Sequence, residues 1–313
     1  MEEFLTIDFP ALATGAFAAL ACALVGNFLV LRRQALIGDA MSHVVLPGIV
    51  IAYWVMGEIS ALPMLIGALV AALIAAALIE LIRRLGRLEP GAAMGVVFTV
   101  MFAAGVLLLE RSGGRDVHLD VQHALYGNLE SILWIGGVGW QSFLDPAALA
   151  ELPRQLVSLA VVALIIALLI VLFFKELRIA TFDASLATTL GFPAHWIGLG
   201  VVVVTAAAAV SAFEAVGSIL VIAMFICPPA TARMLTDRLD RQVQLSAIFA
   251  VASGIIGYWV AAFGFALLGG PSLNAAGMIA VVAGLFQVLA MVSAPHYGAL
   301  ARRRARNLSI RQT

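Results

Sequence analysis

The chain has 313 residues, 63% of them hydrophobic and 12% charged, with a formal net charge of zero. A soluble domain is about half apolar and about a quarter charged, so this composition excludes an aqueous globular enzyme and describes a protein that crosses a membrane many times. Zero net charge gives no footprint for nucleic acid. Cys22 and Cys227 both lie inside apolar stretches and do not form a disulfide framework. The opening residues M-E-E-F-L-T-I-D-F-P are acidic, opposite to the basic start of a cleavable signal peptide.

Nine apolar segments follow, roughly 10–31, 36–56, 61–82, 91–109, 156–174, 196–213, 216–235, 243–268 and 274–292. The seventh is the weakest, because Pro228-Pro229 removes two backbone donors from it. Arginine and lysine gather after the odd segments, at Arg32-Arg33, Arg83-Arg84-Arg87, Lys175-Arg178, Arg233-Arg238-Arg241 and Arg302–Arg306. The even connections hold few. The positive-inside rule therefore predicts an external N-terminus and a cytoplasmic C-terminus. The layout of four segments, one, and four more lets the two halves enter the membrane in opposite directions, which permits an inverted repeat. The expectation is one all-α membrane domain over residues 1–313 with about eight to nine transmembrane helices. It carries an external segment at 111–155, a cytoplasmic segment at 175–195 and a basic tail at 296–313 that would sit on anionic headgroups.

The second segment, Q-A-L-I-G-D-A-M-S-H-V-V-L-P-G-I-V-I, carries Asp39 and His43 four residues apart. On a helix that spacing brings both to one face, a half-site for a divalent transition metal. The plainer reading makes Asp39 a helix cap after Gly38 and His43 a hydrogen-bonded interior histidine. Asn27, in the first segment, offers an amide oxygen, although a lone Asn more often bridges two helices.

The external connection contains His118, Asp120 and His123 in the pattern H-x-D-x-x-H. A strand aligns the first two and a helix the last two, so the trio is either a shallow receiving site for metal or a polar surface. Glu110 and Glu130 flank it and would make an acidic entrance. Tyr126, Trp134 and Trp140 read as interfacial anchors. In the cytoplasmic connection, Asp183 caps a short helix to Leu190 that Gly191 and Pro193 stop. Phe182, Leu186 and Leu190 would then be exposed apolar residues that need a partner. Near the seventh segment, Gly217, Pro228 and Pro229 mark a bend, either a gate or a fixed kink.

Four runs resemble one known family. L-I-G-D-A-M-S-H-V-V-L-P-G-I, V-H-L-D-V-Q-H-A-L-Y-G, F-D-A-S-L-A-T-T-L-G-F and V-G-S-I-L-V-I-A-M-F-I-C-P-P-A-T-A-R look like the permease subunits of bacterial ABC importers for manganese, zinc or iron. The likeness covers nearly the whole chain. A more distant similarity links the third run, and the region after Pro229, to permeases for vitamin B12 and iron siderophores.

The resemblance implies a type II importer-like permease in the bacterial inner membrane, paired with a second copy or a related permease. A cytoplasmic ATPase would dock on Phe182, Asp183, Leu186, Leu190 and Gly191, and an external metal-binding protein would deliver the cargo. Mn2+, Zn2+ or Fe2+ would be transported rather than held permanently, with Asp39 and His43 as its inner ligands. The sequence has no G-x-x-x-x-G-K-[ST] run, so ATP hydrolysis is assigned to a separate subunit and the chain is expected not to be an enzyme. Two rivals are an ion-coupled secondary transporter working without an ATPase and an intramembrane metallohydrolase; the latter lacks H-E-x-x-H.

Overall fold

The computed structural model describes residues 4–34, 36–57, 61–111, 127, 129–137, 139–264 and 273–294, and every regular element among them is helical. The first, α1 (Phe9–Leu31), is preceded by a π-helical turn over Phe4–Asp8. Its sequence is apolar on every side, the pattern of a helix surrounded by others. It is indeed the hub, packed against three later helices, α7 (Arg154–Leu172), α10 (Ala194–Leu235) and α11 (Leu239–Trp259). α12 (Ala275–Ser293) packs behind α10 and α11. α4 (Ala61–Gly86) and α5 (Pro90–Arg111) lie outside this group. The span containing α1 hides 72% of its residues and α5 only 22%, so α1 is solvated by protein and α5 largely by whatever surrounds the bundle. The described helices supply eight stretches long and apolar enough to cross a membrane, two of them, Ala194–Phe213 and Ala215–Leu235, within α10.

The apolar segments break in two places. The second segment is kinked at Val45, between α2 (Leu36–Val44) and α3 (Leu46–Met56), and Val45 itself keeps right-handed helical angles, φ −76° and ψ −20°. Pro47 explains the division, since it has no N–H to offer the carbonyl four residues back, that of His43, and its ring crowds that carbonyl. At the weak seventh segment, helical backbone runs through Pro228 and Pro229 to Leu235. Of the three residues expected to mark a bend, Gly217 carries the interruption of α10, with a φ of 74° and a ψ of 172° that suit glycine alone.

The proline pair is absorbed by a close approach. Pro229 cannot donate to the Phe225 carbonyl, and that oxygen lies directly against Gly26 of α1, beside the Pro229 ring. A methyl group at residue 26 would strike both. Small residues let helix backbones meet in this way inside bundles. Nearby, Asn27 is fully buried. Its Nδ2 donates to the Ala23 carbonyl at 2.8 Å, and its Oδ1 accepts from Gln242 Nε2 at 3.1 Å. Asn27 therefore joins α1 to α11 and is not available as a cation ligand.

Between α5 and α7, the described chain folds back as a cap on the start of α1. The cap includes α6 (Pro146–Ala150). The Trp134 backbone N–H donates to the Thr6 carbonyl at 2.9 Å, and its indole Nε1 donates to the Ala148 carbonyl at 2.8 Å. Phe9 and Phe143 flank the ring at centroid distances of 6.1 and 5.2 Å. Trp134 is completely buried, so it is a core residue of the cap and not the interfacial anchor expected; Trp140 is exposed. Glu130, expected at an acidic entrance, accepts a hydrogen bond from the Ala275 N–H at 2.7 Å and so caps the start of α12. Tyr126 lies outside the described residues.

Candidate metal path and coupling surface

α2 carries both Asp39 and His43, one turn apart, and packs against α10, α5 and α4. Gly38 makes the contact with α10 possible: a Cβ there would sit 2.5 Å from Cδ2 of Phe225. His43 is half-buried, and its ring meets two aromatic rings of α5 edge to face, Phe98 at 5.2 Å and Phe102 at 5.7 Å. Those contacts limit how the imidazole can turn. Leu46 and Pro47 pack over Gly105 of the same helix. α3 and α4 meet through Gly48 and Gly67, each of which faces the other's carbonyl oxygen. Nothing in the spacing of the second segment pointed to Phe98, Phe102 or Phe225. Their only sequence signal was an aromatic pair four residues apart and a phenylalanine ahead of two prolines.

His118, Asp120 and His123 lie outside the described residues. The chain reappears at Gly127, which has a φ of 72°. A side chain there would collide with the backbone of Val216 and Gly217. The end of that connection is therefore seated on the break in α10. Among the described residues, no three His, Cys, Asp or Glu side chains group as a metal cluster.

The short capped helix expected over Asp183–Leu190 is built as its sequence predicts. α8 (Phe174–Phe182) leads into Asp183, which caps α9 (Ala184–Thr189). The Asp183 carboxylate accepts from the Ser185 hydroxyl at 2.6 Å and from the backbone N–H groups of Ser185 and Leu186 at 3.0 and 2.9 Å. The Ser185 hydroxyl, then the Leu186 N–H, hold this carboxyl below its ordinary range. At the other end Gly191 adopts a φ of 85°. The Phe192 N–H donates to the Ala187 carbonyl and the Gly191 N–H to the Thr188 carbonyl, which is a Schellman stop. Ala187 is buried against Ala180 and Ala194, while Phe182, Leu186 and Leu190 are 56, 49 and 57% exposed. Beside them opens a groove of about 460 Å³, lined by Phe182, Asp183 and Leu186 on one side and Asp237, Arg238 and Asp240 on the other. The second wall, the α10–α11 turn, was not foreseen. Its signal was the dense charge run T-D-R-L-D-R that follows α10. Arg238 pairs with Asp240 at 2.9 Å, and Arg233 with Asp237 at 3.5 Å.

A bundle of membrane-length helices around a buried hub, with one interrupted segment and a self-capped surface helix, is the architecture of a transport permease. Residues 4–134 and 138–294 match the model of the ABC 3 transport family, and the chain belongs to that family of metal ABC transporter permeases. It is 36% identical to the manganese transport system membrane protein MntD of Bacillus subtilis, over 93% of this chain and 94% of that one. It is 37% identical to the zinc transport system membrane protein TroD of Treponema pallidum, over 91% and 73%. A probable iron transport system membrane protein of Haemophilus influenzae is 33% identical over 79% and 81%. Among solved structures, PsaBC from Streptococcus pneumoniae superposes with a TM-score of 0.74 at 28% identity, covering 94% of each chain.

Proposed function

We propose that this protein is the membrane channel subunit of an ATP-driven importer for divalent transition metal ions, Mn2+, Zn2+ or Fe2+. Asp39 and His43 bind the ion transiently within α2, with water completing its shell. Oxygen and imidazole ligands suit all three ions, and a two-ligand site releases its cargo where a closed four-ligand site would trap it. His118, Asp120 and His123 receive the ion from an external metal-binding protein. A cytoplasmic ATPase docks on α9, with Leu186 and Gly191 at the contact. A second permease subunit completes the path, the N-terminus lies outside and the C-terminus in the cytoplasm.

The observation that carries this reading is the interruption of the second segment. It sets a short helix, packed on α4, α5 and α10, that carries an aspartate and a histidine one turn apart, the imidazole flanked by two phenylalanines. Ionisable groups in membrane segments belong to ion paths. The metals named for the relatives support the class of cargo. The test is radiolabelled or fluorescent-probe metal uptake into proteoliposomes holding the chain with its ATPase and binding protein. Asp39→Ala and His43→Ala proteins should assemble yet lose uptake; wild-type uptake by both discards the site. ATP-independent uptake by the chain alone would favour the ion-coupled reading.

A further inference from the structure

Around the end of α1 a second cavity, of about 490 Å³, opens between α1, α4, α8 and the start of α10. Its wall is basic: Arg32, Arg33, Arg83 and His195 line it, with Glu80 the one acid. Glu80 is engaged by Arg83, at 2.8 Å. Arg32 is part-buried and donates a long hydrogen bond, 3.4 Å, to the Ala180 carbonyl; it has no carboxylate partner among the described residues. Its guanidinium lies over Gly198, in space that any side chain would fill. Burial lowers its pKa from the usual arginine value.

A half-buried guanidinium with no carboxylate partner, in a cavity that three arginines line, describes a site that is short of one anion. The anion that suits it is rich in oxygen, to take the two N–H groups of a guanidinium fork. We propose that this cavity binds a phosphate group, held by Arg32 and Arg33, and that the phosphate is the headgroup of an anionic phospholipid. The site lies at the end of a membrane-length helix, where headgroups are found, and basic cavities between transmembrane helices take such headgroups. Ala184, the first residue of α9, also lines it, so the bound phosphate ties the ends of α1 and α4 to the coupling segment.

The test uses the purified full chain in a neutral detergent. Its Tm is followed while short-chain phosphatidylglycerol, phosphatidylcholine of the same chain length, or inorganic phosphate is added. Phosphatidylglycerol should raise the Tm by about 3–6 °C at saturation, as expected for a ligand bound only by the folded state. Phosphatidylcholine should not. Arg32→Gln and Arg33→Gln should each lose most of the rise, whereas Arg154→Gln, at the far end of α7, should keep it. Arg33 is exposed, so its variant reports on the site without disturbing packing. Native mass spectrometry should show phosphatidylglycerol retained by the wild type and released by both variants. An equal rise with inorganic phosphate, lost in the same variants, would keep the phosphate chemistry and assign it to a free anion. Equal responses to both lipids, or unchanged responses in Arg32→Gln and Arg33→Gln, would overturn the proposal. So would a cavity that responds only to the ATPase subunit, since its anion would then be a protein carboxylate.

Discussion

α2 and α9 are both short helices set between long ones, and they are made in opposite ways. α9 carries its own instructions: an aspartate that accepts from the first N–H groups, a glycine that turns the last carbonyls, and one buried alanine face. α2 gives way at Val45 under the influence of Pro47. What holds it is remote in sequence, Phe225 on α10 and Phe98 and Phe102 on α5. The surface helix is thus specified locally and the interior helix by its neighbours. A proposed docking element can keep its shape before its partner arrives, whereas a proposed ion site depends on how the whole bundle is packed.

The sharpest way to break this contrast is at the proposed ligands. Asp39→Ala or His43→Ala should reduce metal uptake by about tenfold or more while leaving expression and Tm near the wild type. Next comes the surface helix. Leu186→Glu should preserve metal binding, measured by equilibrium dialysis, but abolish the metal-stimulated increase in ATP hydrolysis by the assembled complex. A smaller effect should appear at the boundary between α2 and α10. Gly38→Ala should cost about 1–3 kcal/mol through overpacking on Phe225 and lower uptake with it. Phe225→Leu in the same chain should restore part of both, because the contact involves flexible ring atoms rather than backbone. An unrepaired double variant would show that α2 is positioned by something else.

The smallest effect concerns acidity. The Asp183 carboxyl is held below its ordinary range in the folded chain, so its capping is complete above the unfolded carboxylate range. The stabilisation is lost as pH falls through the depressed folded value. Proteolysis within 182–191 should therefore quicken in acid for the wild type, while Asp183→Ala should be cut at a rate that barely changes over the same range.

The sequence made α9 legible to within a residue, because caps and stops are local signals: Asp183, Gly191 and Pro193 state both ends. The long spans were equally open to reading, since apolar length is all they require. The interruptions were legible in part. Gly217, Pro228 and Pro229 together marked a bend, but a proline inside a bundle can be accommodated when a neighbour such as Gly26 brings its backbone close. The break falls at Gly217 alone, against Gly127 ninety residues earlier, a contact which no periodicity reveals. Trp134 was misjudged for a related reason: an indole in a loop between spans looks like an interfacial group until Phe9, Phe143 and the Ala148 carbonyl enclose it.

The seat of Gly127 on Val216 and Gly217 has a mechanical meaning. Main chain rests on main chain, with no side chain between them to yield. A shift of Gly127 is therefore felt directly at the one point where the 42-residue helix is already severed. The two glycines, ninety residues apart in the chain, behave in effect as one joint.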